Sequence, residues 1–353
     1  MKAPRPDKVR LALVISVLIG VAQTAYPADR YVPQDLGMLE QALSGIVRGF
    51  NILGEAVGGS IGSGPGKRAF LAREGSAEVI DVLPGGDSSL AHAINQLGTV
   101  VGSSNTPTSI RAFLWTRSSG IRDLGTLPGD SSSEAFGVNR HNEVVGFSSG
   151  TAGIEAVLWT SDGQIQSLGR LREGDYSRAF AINERGEIVG TSARPRDARA
   201  FLWTRSRGME NLGVLAGNSE SSATSINDAG QVVGYSSGPR GTRAFLWTRT
   251  GGMEDLGTLP GGDHSRALAI NERGEIVGTS GSPLGARATL WTRTGGIQDL
   301  NALIPSRTNF VLTQAVNVND LGLILAIGHD DDHEGNYDNH ESPTRVFVLV
   351  PVP

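Results

Sequence analysis

Along most of the chain, apolar positions come in short runs separated by Gly, Asn, Asp and Ser. The stretch from Ser177 shows the pattern. SRAFAIN alternates small or apolar residues with others and predicts a strand. Asn183-Glu-Arg-Gly186 predicts a turn, EIVGTS a second strand, RAFLWT a third and MENLGVL a fourth. RAFLWT is apolar on both faces and is therefore expected to be buried.

The pattern recurs at a fixed period. AINERGEIVGTS stands at 181–192 and, letter for letter, at 269–280, with SINDAGQVVGYS between them at 225–236. Trp115, Trp159, Trp203, Trp247 and Trp291 are each 44 residues apart, as are Asn51, Asn95, Asn139, Asn183, Asn227 and Asn271; Asn319 follows after 48. Each Trp ends a word of the RAFLW type, with degenerate copies RAFLA and RVFVL near the two ends, giving seven units. Four strands in about 44 residues is the size of one propeller blade. The fold class predicted is therefore all-β, a closed seven-bladed β-propeller of four-stranded repeats, with an open β-repeat solenoid as the alternative. QDLGML (Gln34–Leu39) reads as a fourth strand and RVFVLV at the C-terminal end as a third. The N-terminal strand is thus expected to complete the last blade and close the ring.

The Asn-x-x-Gly word has a cause in backbone geometry. A type I turn favours Asn at its first position, and a Gly at the fourth takes the positive φ that closes a hairpin with a bulge. Six units carry that Gly; the remaining one has Asn142, the residue type that best tolerates this conformation after Gly. A hydroxyl row precedes the turn: Ser89, Ser133, Ser177, Ser221, Ser265 and Thr313. Six copies argue against catalysis, and the row is read as turn-capping.

Taken together, [AV]-[FVT]-[LV]-W, G-[MI]-x-[DN]-L-G-x-L-x-G and S-x-A-x-x-[IV]-N-x-x-G-x-[VI]-V-G resemble the HAF repeats, a family of predicted extracellular repeats. The resemblance runs from about Gln34 to Leu349 and implies secretion and a repeat architecture, but no reaction. The chain departs from the family word in having Arg or Glu155 where His precedes Ala-Phe.

Composition adds a compartment. MKAPRPDKVR is cationic and LALVISVLIGVA (Leu11–Ala22) is apolar, the order of a secretory signal peptide, here assigned to residues 1–25 with the propeller over 31–353. The apolar run falls short of the ~20 residues of a membrane span. The expected mature chain is secreted, extracellular or periplasmic, with no membrane span. Losing four cationic residues and one anionic residue takes the net charge from −5 to −8, which argues against nucleic acid as a partner. With no Cys, thiol catalysis and zinc–thiolate sites are excluded.

Two features carry candidate chemistry. Arg68, Arg111, Arg199, Arg243, Arg287 and Arg345 hold one position per blade. On a ring they would present guanidinium groups to the carboxylates, sulfates or phosphates of a polymer. The plainer reading pairs each with an acid of its own blade, Glu187 or Glu275 for example. The seventh unit carries an insert, HDDDHEGNYDNHES, in which Asp330, Asp332, Glu334, Asn336 and Asp338 resemble a calcium loop with an overlong third ligand. A transition-metal site on His329, His333 and His340 and a solvated acidic loop are the other readings. His92, His141 and His264 read as incidental to the repeat turns. Asp87, Asp175 and Asp263 are the nearest candidates for paired carboxylates, and turn chemistry accounts for them. No nucleophile elbow, zinc-protease helix, phosphate loop or dinucleotide fingerprint is present. The expected role is a binding or scaffold module for an extracellular polysaccharide or protein; the alternative is a polysaccharide hydrolase or lyase, with calcium as the cofactor the sequence suggests.

Overall fold

The computed structural model describes residues 30–36, 45–60, 66–73, 76–171, 175–194, 197–305, 308–331 and 345–352. They form seven four-stranded antiparallel sheets. In six of them the strands are neighbours in chain order, as in blade 4: Tyr176–Ile182, Ile188–Arg194, Asp197–Thr204, Gly208–Asn211. The seventh joins Phe310–Val318, Ile324–Asp330 and Arg345–Val352 to Arg30–Asp35 from the other end of the chain. First strands of successive blades touch all the way round, including Gly45–Phe50 against Phe310–Val318. The chain is therefore a closed seven-bladed β-propeller with each first strand nearest the axis, and the open solenoid is ruled out. The closing strand begins at Arg30, four residues before the expected Gln34. Arg30–Pro33 find backbone partners in Leu349–Val352, whose last two residues run past the register at which the other third strands end, Thr204 in blade 4. Apart from one 3-10 turn, Leu300–Ala302, no helix occurs among the described residues.

The repeated words hold blade to blade. Every Asn of the turn row is buried, and its Oδ1 accepts from the backbone N–H four residues on; in all but Asn227 it also accepts from the one two residues on, as Asn183 does from Arg185 and Glu187. The turn hydrogen bond from the fourth-residue N–H back to the Asn carbonyl is present in all seven, with Asn142 at φ 57° taking the glycine's place. The Asn Nδ2 goes further than the turn: it donates to the carbonyl of the next blade's Asn. Asn51, Asn95, Asn139, Asn183, Asn227 and Asn271 pass the bond on, and Asn319 returns it to Asn51 at 3.3 Å. Seven side chains thus close a hydrogen-bonded girdle around the axis.

The serine row also works between blades rather than in turns, which corrects the expectation. In blades 2 to 5 the short fourth strand leaves its third strand at a glycine, Gly125, Gly169, Gly213 or Gly257, and the third-strand Ala N–H needs another acceptor. Ser177 Oγ fills the gap: it accepts from Ala156 N–H (2.8 Å) and donates to the Gly169 carbonyl (2.7 Å), both in the preceding blade. Ser133, Ser221 and Ser265 repeat the splice, and Ser89 accepts from Ala69 in the same way. A second row, Ser104, Ser148, Ser192, Ser236 and Ser280, accepts from the N–H of Leu83, Leu127, Leu171, Leu215 and Leu259 in the loops between blades. The apolar third-strand residues fill the space between sheets: Phe113, Phe201 and Phe245 have no exposed surface.

Candidate functional site

Every first strand shares one slip of pairing register at the same place: between Val47 and Gly49, Ala91 and Ala93, Ala135 and Gly137, Ala179 and Ala181, Ala223 and Ser225, Ala267 and Ala269, Ala315 and Asn317. A bulge re-aims the extra residue. A glycine on the second strand makes room for it: a side chain at Gly102, Gly146, Gly190, Gly234 or Gly278 would run into the first-strand carbonyl opposite. The re-aimed residues are Arg48, His92, Phe136, Phe180, Thr224, Leu268 and Val316. Apart from the two phenylalanines they differ from blade to blade. Two residues earlier, Leu90, Glu134, Arg178, Ser222, Arg266 and Gln314 vary too, with arginine alone occurring twice.

Four consecutive blades bring these positions together. His92 stands edge-on to Phe136 at 4.8 Å, and Phe136 edge-on to Phe180 at 5.6 Å. His92 Nε2 lies 3.9 Å from Glu134 Oε2, and the two side chains are 6% and 28% exposed. Arg178 sits over Phe147 at 4.9 Å. Burial drives the His92 imidazole down to about 3, helped by the nearby Arg48 guanidinium, so it is neutral at physiological pH. Burial raises the Glu134 carboxyl, with Arg178 and Arg48 pulling the other way. Burial also lowers Arg48, opposed by Glu134.

The cluster is under-bonded by the protein itself. His92 Nε2 and Arg178 Nε are buried and have no hydrogen-bond partner, and such groups are costly unless something meets them. Among the described residues, no carboxylate lies within ion-pair distance of Arg48, Arg178 or Arg266. Arg266 instead stacks on Tyr235 at 4.9 Å, as Arg178 does on Phe147. Chemically the cluster offers guanidinium donors, a neutral imidazole, one carboxylate and aromatic faces: the means to hold an acidic group and the ring that carries it.

None of these residues was singled out by the sequence reading, and His92, read as incidental to a turn, lies on the strand facing the axis. A signal was available: in S-x-A-x-x-[IV]-N the framework letters repeat while the x positions at and before the bulge vary from unit to unit. The arginine row is placed at the starts of the third strands, and its groups are used between and within blades. Arg111 pairs with Asp123 (3.3 Å), Arg199 with Asp197 (2.6 Å), Arg287 with Asp299 (3.7 Å), and Arg345 with Asp35 and Asp330. Arg68, Arg199 and Arg243 donate to the Asp87, Ser219 and Asp263 carbonyls of the next blade. The acids differ from those expected, because Glu187 and Glu275 belong to the turn row and take Arg185 and Arg273. Of the calcium-loop residues, Asp330 carries the Arg345 ion pair; Asp332, Glu334, Asn336 and Asp338 lie outside the described residues, as do His333 and His340. Among the described residues, no three His, Asp or Glu side chains group as a metal site. Among them too, no helix is long and apolar enough to cross a membrane.

No family model and no curated protein matches the chain. Solved structures do. A streptogramin B lyase shares 12% identity over 92% of this chain and 99% of its own, at a TM-score of 0.56. Virginiamycin B lyase from Staphylococcus aureus shares 11% over the same fractions, also at 0.56. The β-propeller domain of the Trilobed protease from Pyrococcus furiosus, described as having an open velcro topology, shares 10% over 92% and 94%, at 0.55. At these identities the likeness is one of fold, and it places the chain in the β-propeller class.

Proposed function

We propose that the protein is an exported binding module that holds an acidic group of a cell-surface or extracellular polymer on the propeller axis. The observation that carries this reading is the cluster of Arg48, His92, Glu134 and Arg178. Its residues break the repeat, lie on adjacent innermost strands, and leave buried His92 and Arg178 nitrogens without protein partners. The cationic stretch and apolar run at 1–25 support export. Aromatic faces beside guanidinium groups suit a ring bearing a carboxylate, so an acidic polysaccharide fits better than a neutral one.

The test is thermal unfolding of the chain from Tyr26 with oligogalacturonate, a heparin-derived oligosaccharide and a neutral cello-oligosaccharide. A ligand bound only by the folded state raises the melting temperature by mass action. The carboxylated oligomer is expected to raise it in the wild type and not in Arg178→Gln; no shift with either acidic oligomer would overturn the proposal. A second reading, a polysaccharide lyase or hydrolase, is favoured by Glu134, an axial carboxyl whose pKa burial raises, as a general acid or base requires. Two of the fold neighbours are named as lyases. Release of shortened or unsaturated products from oligogalacturonate would select it; intact oligomer after prolonged incubation would select binding.

A further inference from the structure

The face carrying the turns between first and second strands holds a feature apart from the axis. In blades 1 and 2 the third-to-fourth-strand turns send Arg73 and Arg117 onto the buried Glu55, at 3.7 and 3.0 Å, and Arg117 also reaches Glu78 at 3.4 Å. Arg205 makes the same 62-residue reach back to Glu143. By that register Arg249 should reach Glu187. It does not: Arg185 holds Glu187 at 2.8 Å, and Arg249 lies over the Trp247 ring at 5.9 Å and keeps the outer carboxylate, Glu210, at 3.4 Å. Arg207 shares that same carboxylate at 3.5 Å.

The withdrawn clamp leaves a cleft of ≈ 340 Å³ between blades 4 and 5, at the lower end of the roughly 300–1,000 Å³ of ligand pockets. Arg185, Arg205, Arg207 and Arg249 line it with the Thr204 and Ser206 residues, against one lining carboxylate, Glu187. The equivalent place between blades 1 and 2 sets two arginines against two glutamates. Four guanidinium groups meet three carboxylates, Glu143, Glu187 and Glu210, the last partly exposed and shared by two arginines, so the cleft carries surplus positive charge in an otherwise anionic chain.

We propose that this cleft binds a tetrahedral oxyanion, a sulfate or phosphate ester, presented by an extracellular ligand. Arg207 and Arg249 would exchange the shared Glu210 for the ester oxygens, while Arg185 and Arg205, each tied to its own glutamate, fix the walls. The cleft is independent of the axial cluster, so either can fail without the other.

The experiment is calorimetric titration of the chain from Tyr26 with inorganic sulfate and, separately, inorganic phosphate, on wild type, Arg207→Gln/Arg249→Gln and Glu210→Gln. Saturable millimolar binding is expected in the wild type, weakened about tenfold in the double variant. Glu210→Gln removes the competitor and is expected to tighten binding several-fold. The arm that binds more tightly identifies the ester. Both arginines are about half exposed (58% and 46%), so melting temperatures should stay close to wild type and loss of binding cannot be mistaken for unfolding. Absence of saturable binding, an undiminished double variant, or weaker binding by Glu210→Gln would each overturn the proposal.

Discussion

Ser177 and Arg178 are neighbours on one strand and do opposite things. Ser177 turns to the preceding blade, where its hydroxyl satisfies two backbone groups. Arg178 lies toward the axis, stacked on Phe147, with a buried nitrogen that no protein group meets. The serine recurs at the same register in four further blades; the arginine's counterparts are Leu90, Glu134, Ser222, Arg266 and Gln314. In a ring of equivalent units, whatever the closure requires must be said in every unit, and whatever is said once is free to serve a ligand. The girdle of asparagines and the serine splices belong to the first kind. Arg48, His92, Glu134 and Arg178 belong to the second.

The contrast can be broken hardest at the girdle. Asn183→Ala leaves the Arg185 and Glu187 N–H groups unpaired and cuts the link to Asn227. It should cost about 3 kcal/mol, measured by urea unfolding. The axial side responds to pH instead. His92 binds its proton more weakly folded than unfolded, so its contribution is complete above the ordinary pKa of 6.5 and is lost as pH falls toward about 3. Glu134, shifted upward, works in the opposite direction. Comparing wild type with His92→Leu isolates the histidine: relative to its value at neutral pH, the variant should gain about 2–3 kcal/mol on the wild type by about pH 4.5. Ser177→Ala should cost about 1–2 kcal/mol, because the Ala156 N–H and Gly169 carbonyl lose their bridge. Arg178→Gln should change stability least, by about 0.5 kcal/mol or less, while abolishing the melting shift with the acidic oligosaccharide.

Period and turn chemistry made the architecture legible from residues alone. The Trp and Asn rows counted the blades, and Asn142 marked a positive φ without a glycine. What escaped was the third dimension of the same words. Ser and Asn were read within their own turns, yet the serine hydroxyls bond to the preceding blade and the asparagine Nδ2 groups to the next, a distance that no local pattern expresses. The axial cluster escaped for a different reason. Repetition draws attention to what is conserved between units, and the arginine row, being periodic, looked like a site; its groups prove to be engaged with Asp123, Asp197, Asp299 and neighbouring carbonyls. His92, Glu134 and Arg178 lie 42 to 44 residues apart on three strands, and only the closed ring and its common bulge bring them together.

The most direct measurement replaces the four axial residues by those that other blades carry at the same register: Arg48→Leu, His92→Leu, Glu134→Ser and Arg178→Ser in one chain. Its melting temperature and its calorimetric titration with oligogalacturonate would be compared with wild type. The account predicts a ring that melts as high as wild type or higher, since buried unpaired groups have been removed, with binding reduced by at least about a hundredfold. A variant that keeps its binding, or that no longer folds, would contradict the assignment of the axis to function and the repeat to scaffold.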